Sequence, residues 1–442
     1  MEKYIIAIDL GTSRTSIVIA TYDENEPFGI KIRYKASQSS QGIQRGMVTN
    51  IEKASKVLSN LLIGAEKEIK SKTNDIKLYC FNINGLCYTT ECVTKEIQIP
   101  ADMTISETLI NKLWEDVIGK FYINDHVGIS CKPVFYSIDD SQEIMNPSGR
   151  SGSKLEGNFL LTFALTNSIK NIHNLCKGAV DQIYTTAYAK SAILINLEDK
   201  KTGTMLVDLG AATTSIAIYY NNTLRHEISI PLGSQLITND IARGLNIPKE
   251  IAENLKCNIN LFIPDDQDSK DRTIEIKYGE SESVNLESEF LFYIIKARVE
   301  EIIKYIDVQI IKTSCNKYIK KIILTGGGAK LYGITKIFEE YFVKDTFLAE
   351  THHYEFDDDS IYQYAAAIGM ASLYAREHRD TLIDKQQNLF ETDEVAEGTE
   401  EKEKPTTENA TSKQSKKTKK SIKFADWINN ILNDRTSFSD EE

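Results

Sequence analysis

KYIIAIDLGTSRTSIVIATY (residues 3–22) is an apolar run that stops at Asp9, turns through Gly11, Thr12, Ser13 and Arg14, and resumes as a second β-rich run to Tyr22. Two such runs around a short polar turn make a hairpin. The plan returns in TMLVDLGAATTSIAIYYNNTLRHEISIPLG (204–233), with a strand to Asp208, a turn around Gly210 and Ala211, a strand from Thr214 to Tyr220, an Asn-Asn turn and a third strand. Self-similarity at a spacing of about 200 residues implies a duplicated fold. A third stretch, KKIILTGGGAKLYGITKIFEEYF (320–342), reads as a strand, a turn at Gly326, Gly327 and Gly328, and a helix. That order brings backbone N–H groups to an anion at a helix start.

The chemistry of these turns follows from their residue types. Gly, Thr and Ser at the tip of a strand-turn-strand offer several backbone N–H groups and hydroxyls to one anion, and glycine lets the chain approach phosphate closely. Asp9 and Asp208 end their strands just before the turns, where a carboxylate can hold Mg2+ through water. A single Asp-Leu-Gly-Thr-Ser is also what an ordinary hairpin opening on an aspartate looks like. Two copies together with the downstream glycine turn point to a nucleotide, with Gly11, Thr12, Ser13 and Arg14 and then Gly210, Thr213 and Thr214 as phosphate clamps.

Composition sets the bounds. The chain has 442 residues, 41% of them hydrophobic and 26% charged, enough for two or more domains. A formal net charge of -12 opposes nucleic-acid binding, since the one dense lysine cluster lies in the tail. The seven cysteines are scattered without a C-x-x-C pair, which suits buried structural thiols in a reducing compartment. The N-terminus opens on a strand with no signal-peptide pattern, and no run reaches the roughly 18 apolar residues of a spanning helix. A cytoplasmic protein is expected.

The residues also carry a resemblance. The two aspartate turns and the glycine turn resemble the phosphate and adenosine motifs of the actin and sugar-kinase superfamily. Further stretches are similar to the bacterial FtsA family of cell-division proteins: NPSGRSGSKLEGNFLLTFA (146–164), LRHEISIPLGSQLITNDIARGLNIPKEIAENLK (224–256) and IIKARVEEI (294–302). The resemblance runs in order over about residues 1–380 and resumes at the tail, and the 224–256 block is its most specific part. It implies an α/β fold, a duplicated actin-like (ribonuclease H-like) architecture with an inserted small α+β subdomain. The expected parts are a first lobe (1–80 and 166–202), the insert (81–165), a second lobe (203–380, with 231–320 its smaller subdomain), a disordered linker (381–420) and an amphipathic helix (421–436). IKLYCFNINGLCYTTECVTKEIQI (76–99) reads as paired strands of the insert.

The same resemblance implies ATP with Mg2+, Glu253 and Lys256 on the adenosine side, and Arg298 and Glu301 as contacts for the C-terminal peptide of FtsZ. Glu253 and Lys256, three apart on one helix face, read equally as a surface ion pair. It further implies self-association into filaments, other division proteins as partners, and a peripheral location on the cytoplasmic face of the membrane at the septum. Departures from the family pattern matter: Ala211, Ala212 and Ser215 stand where two glycines and an acid are usual, and Thr186 falls near a glutamate position. Slow or negligible hydrolysis is the expectation. The alternatives are another actin-like membrane scaffold, of pilus-assembly or cell-shape type, and a slow ATPase of the same superfamily.

From Asp384 the composition changes to DKQQNLFETDEVAEGTEEKEKPTTENATSKQSKKTKK, too poor in apolar residues to offset the entropy of ordering. Beyond it, Phe424, Trp427, Ile428, Ile431 and Leu432 fall on one stripe of a short helix, with six lysines between Lys413 and Lys423 upstream. Burial of five large apolar side chains at about 1.5–3 kcal/mol each gives reversible binding to a surface. Lipid of the cytoplasmic membrane is the expected surface, with the chain's own body or a partner's groove as the other possibilities.

Overall fold

The computed structural model describes residues 2–69, 75–100, 103–119, 122–258, 273–278, 282–350 and 358–382. Met1–Glu377 form one compact unit and His378–Glu442 a second, of which the helix Arg379–Leu382 is described. The linker beyond Leu382 and the stripe from Phe424 to Leu432 lie outside the described residues.

The chain opens with β1 (Lys3–Leu10), β2 (Arg14–Tyr22), β3 (Ile30–Ser39), the short β4 (Ile43–Gln44) and β5 (Met47–Val48), α1 (Ile51–Ile69) and β6 (Ile76–Ile83). It continues through β7 (Tyr88–Gln98), α2 (Glu107–Ile118), β8 (Tyr122–Ile123), β9 (His126–Ile138), β10 (Lys154–Leu165), α3 (Thr166–Leu175), β11 (Gln182–Thr185) and α4 (Thr186–Leu194). The later part holds α5 (Leu197–Thr202), β12 (Thr204–Leu209), β13 (Thr214–Tyr220), β14 (Thr223–Ile230), α6 (Gln235–Leu245) and α7 (Lys249–Cys257). Then follow β15 (Thr273–Tyr278), β16 (Glu282–Glu287), α8 (Ser288–Lys312), β17 (Lys321–Thr325), α9 (Ile334–Phe342), β18 (Asp345–Leu348) and α10 (Asp358–Glu377).

Two five-stranded sheets repeat one plan. The first has the order β11-β6-β1-β2-β3 and the second β14-β13-β12-β17-β18. In each, three consecutive strands form an antiparallel meander, and two later strands join parallel beside its first strand. The registers coincide residue for residue: Asp9 faces Ser16 across β1 and β2, and Asp208 faces Ser215 across β12 and β13. β1 and β12 are buried almost throughout, which is why both read as unbroken apolar runs rather than as alternating ones.

The insert is a four-stranded antiparallel sheet, β7-β10-β9-β8, backed by α2. Trp114 of α2 packs edge-on against Phe159 of β10 and donates its indole N–H to the Tyr136 hydroxyl of β9 at 3.1 Å. Residues 76–99 are not a strand pair: β6 belongs to the first sheet, beside β1, and β7 pairs with β10. Alternation reports that both are strands but not which partner each takes, because the partners are distant in sequence.

The insert seats against β14. Thr90 Oγ1 donates to the Glu227 carbonyl at 2.7 Å, and the buried Arg225 donates Nη2–H to Glu143 Oε2 at 2.7 Å. The same guanidinium faces the rings of Phe135, Tyr220 and Tyr318. The cysteines are free thiols; Cys80, Cys87 and Cys315 are buried, whereas Cys92 and Cys257 are exposed, so burial does not account for all of them. No helix among the described residues is long and apolar enough to cross a membrane.

Candidate functional site

The sequence-singled turns lie at the ends of β1 and β12, and a chain of contacts links them. Thr12 Oγ1 accepts from the Gly46 N–H at 3.3 Å, and the Gly46 carbonyl accepts from Cys87 Sγ at 3.4 Å. Cys87 ends a short 3-10 turn whose N-cap is Asn84, and Asn84 Oδ1 accepts from the Ser215 hydroxyl at 2.6 Å. First turn, second hairpin and the segment after β6 therefore border one space. The turns are braced alike: the Ser40 N–H donates to the Ser13 carbonyl and Ser40 Oγ to the Gly11 carbonyl. The Ser234 and Gln235 N–H groups donate to the carbonyls of Gly210 and Ala211. Thr213 and Thr214 are buried, and the Thr214 hydroxyl donates to the Leu232 carbonyl at 2.8 Å. Arg14 opens β2 instead of closing the turn, and its guanidinium reaches Ser37.

Two residues that the sequence reading did not single out organise this space. Asn82, at the end of β6, accepts the Leu10 N–H on Oδ1 at 2.6 Å, and its Nδ2 donates to Asp9 Oδ1 at 2.6 Å and Thr186 Oγ1 at 3.0 Å. Lys190, on α4, donates to Asp208 Oδ1 at 2.6 Å, with both side chains almost wholly buried at 7% and 5% exposure. Burial pushes the Asp9 carboxyl up to about 6, with the Lys190 charge and the Asn82 hydrogen bond opposing and the Asp208 charge adding to the rise.

This arrangement bears on the expected Mg2+ at Asp9 and Asp208. Mg2+ takes oxygen ligands and keeps most of its water, whereas here an ammonium already occupies one of the two Asp208 oxygens, Oδ1. An ion on that oxygen would stand roughly 4 Å from the ammonium, where a divalent and a monovalent charge repel by on the order of 8 kcal/mol at an effective dielectric of 20. The residues present do not fit Mg2+ bound directly at Asp208 Oδ1. At that oxygen the positive charge is that of Lys190.

The third motif adjoins Asp208. Gly326 has φ +86, and a Cβ there would stand 2.4 Å from Asp208 Oδ1, so both the conformation and the space require glycine. Gly327 and Gly328 fall in a 3-10 turn over Gly327–Lys330, and α9 starts only at Ile334 after a second left-handed residue, Gly333. The helix does not follow the glycines directly as the sequence suggested.

Glu253 and Lys256 form an ion pair, Oε2 to Nζ 2.8 Å, and both bond to the Thr238 hydroxyl of α6. Lys256 is buried, so the pair is an inter-helix link and not merely a surface one. Burial pushes the Glu253 carboxyl up, but its hydrogen bonds from Lys256 and Thr238 outweigh that and hold it below the usual range. Arg298 of α8 spends its fork on Asp240 of α6, with Nη2 to Oδ1 at 3.0 Å, and also pairs with Glu301. A small, open hollow lined by Tyr4, Ile6, Ile19, Leu62, Lys77 and Tyr79 among others involves none of the singled-out residues.

The profile described as "Cell division protein FtsA" matches residues 205–369, and "SHS2 domain inserted in FTSA" matches residues 89–162. Among curated relatives, "Cell division protein FtsA" of Borreliella burgdorferi is 26% identical over 77% of this chain and 83% of its own. That of Neisseria meningitidis serogroup B is 25% identical over 77% and 82%. Among solved structures, the "PilM-PilN type IV pilus biogenesis complex" superposes with a TM-score of 0.58 at 14% identity, covering 83% of this chain and 97% of that one. At that identity the likeness speaks to fold alone, and the fold is actin-like.

Proposed function

The chain belongs to the FtsA family of cell-division proteins, and on that premise we propose that it is a nucleotide-binding scaffold tethering FtsZ polymers to the cytoplasmic membrane at the division site. The observation that carries the nucleotide part is the convergence of two duplicated aspartate turns on one space, bordered by Asn84, Lys190 and Gly326. Phosphate would lie between the turn of Gly11, Thr12 and Ser13 and that of Gly210, Thr213 and Thr214, held by backbone N–H groups and hydroxyls. Gly326, Gly327 and Gly328 would flank the nucleoside, with Glu253 and Lys256 on its far side. Hydrolysis is slow in this reading: Thr186 carries a hydroxyl already engaged by Asn82, and Ser215 a hydroxyl engaged by Asn84, and neither is a carboxylate base.

The partner part rests on the family and on α8. Arg298 and Glu301 are the contacts proposed for the FtsZ C-terminal peptide, and a peptide carboxylate there must displace Asp240 from the arginine fork. The tail from Phe424 to Leu432 is the proposed membrane contact. Self-association and other division proteins complete the partner set.

Flotation tests the whole reading. FtsZ polymers should rise with anionic vesicles when the full chain is present, and stay down with a chain truncated after Lys420. Equal flotation with both forms, or none with either, would overturn the tether.

A further inference from the structure

Lys190 sits in a helix that gives it no other reason to be charged. In α4 (TAYAKSAIL), Thr186, Ala187, Ala189, Lys190, Ser191, Ile193 and Leu194 are all buried, and an ammonium in such a run is tolerated only when paired. Its backbone is pinned on both sides. A Cβ on Gly369 of α10 would stand 1.9 Å from the Ala189 carbonyl, so the helices meet at the residue before Lys190. The residue after it, Ser191, shares a 2.5 Å hydrogen bond with the Tyr219 hydroxyl of β13. The ammonium is thereby delivered to Asp208 from a rigid support, between the two aspartate turns.

We propose that Lys190 stands in for the divalent cation of this site, so that the chain binds a nucleoside di- or triphosphate without Mg2+. The inference rests on the nucleotide reading above and specifies how that site meets its charge. A lysine ammonium has three N–H donors and no acceptor. One donor goes to Asp208, and phosphate oxygens placed between the turns take another, as lysines take phosphate elsewhere as point charges. Asp208 then serves to hold the ammonium and is no longer a metal ligand. A site built in this way lacks the metal that neutralises charge developing on a transferred phosphoryl group, which agrees with slow hydrolysis.

The test uses the full-length chain and a fluorescent N-methylanthraniloyl ATP, titrated by anisotropy in excess magnesium chloride and in excess EDTA. The expected dissociation constants agree within about threefold. Saturable binding in magnesium that weakens by more than about tenfold in EDTA overturns the inference while leaving the nucleotide reading intact. No saturable binding in either buffer overturns the nucleotide reading, and the inference with it. In Lys190→Ser, binding in EDTA should fall by about tenfold or more and recover with magnesium, whereas Lys190→Arg should keep metal-independent binding. Equal binding of Lys190→Ser in EDTA would remove Lys190 from the role. Should the serine variant fail to fold, the wild-type comparison still decides.

Discussion

Replacing Asn82 by alanine should cost far more stability than an ordinary buried amide would suggest, because three hydrogen bonds to two elements depend on that side chain. It accepts the Leu10 N–H of β1, and it donates to Asp9 at the tip of that strand and to Thr186 at the start of α4. The charge-assisted bond to Asp9 is worth about 1.5–3 kcal/mol, and a buried Leu10 N–H left without an acceptor costs about 1–3 kcal/mol more. Since the effects share one site they will not add fully, and a loss of about 3–5 kcal/mol is expected, a large part of the roughly 5–15 kcal/mol that holds a domain folded. Asn82→Asp isolates the Asp9 contact. It keeps the shape and the acceptor for Leu10, but it turns the donor at 2.6 Å from Asp9 into a second carboxylate. Like charges at that distance raise one of the two acids strongly, and a shared proton restores the hydrogen bond. The Asp variant should therefore be destabilised at about pH 8 and approach wild type near pH 5. Urea denaturation followed by far-UV circular dichroism at both pH values reads this out. An alanine variant within about 1 kcal/mol of wild type, or an aspartate variant with the same deficit at both pH values, would refute the reasoning.

Four other outcomes follow. Gly369→Ala drives a methyl into the Ala189 carbonyl, so it should cost at least about 1–3 kcal/mol by overpacking, and it should weaken nucleotide binding by moving Lys190; an unchanged melting temperature would refute the close approach. Asp9 and His226 set opposite slopes of stability with pH. Asp9, raised from 3.8 to about 6 mainly by burial, binds more protons folded than unfolded across that window, so its contribution falls as pH rises, and Asp9→Asn should remove this fall. His226, lowered by burial from 6.5 to about 4 on the strand that seats the insert, contributes stability at pH above 6.5 that is lost as pH drops towards 4, and His226→Gln should flatten that loss in pH-dependent denaturation. Asp240→Asn releases the Arg298 fork and should tighten binding of a synthetic FtsZ C-terminal peptide by several-fold; unchanged affinity in fluorescence anisotropy would take Arg298 out of the partner site.

How much of this was legible depends on whether the deciding contact is local. The aspartate turns were readable because an apolar run, an aspartate and a glycine tip are contiguous, and the matching registers of Asp9 with Ser16 and Asp208 with Ser215 follow from that spacing. The glycine turn was readable as a turn, but the positive φ of Gly326 and Gly333 that delays α9 belongs to the way the chain passes Asp208, and no periodicity reports it. Strand pairing failed at residues 76–99 for the same reason. Asn82 was missed because its partners lie far off, Asp9 across 73 residues and Thr186 across 104, and Lys190 because its bond to Asp208 joins a helix to a strand of the second sheet. The signal open to a reader was a lone polar or charged residue in an otherwise buried apolar run, which has to find a partner somewhere.

The duplication sharpens what those two residues mean. The parallel pairing of β6 with β1 runs to Phe81 beside Ile8, so continuing it by one sets Asn82 beside Asp9. In the second sheet, β17 places Thr325 beside Asp208. Asn82 and Thr325 are thus the same position in the two copies, yet they do unlike things. Asn82 saturates Asp9 with a neutral amide, while the Thr325 hydroxyl is buried with no hydrogen-bond partner among the described residues. A threonine is too short to do for Asp208 what the longer amide does for Asp9. The deficit is met by Lys190, an ammonium delivered by α4. The turns diverge in the same sense, since the first carries the hydroxyls of Thr12 and Ser13 where the second carries the methyls of Ala211 and Ala212. On the proposed reading one copy would grip a phosphate by hydrogen bonds and the other by charge. Removing either charge of the Lys190–Asp208 pair should therefore loosen the seating of α4 against β12 as well as the site.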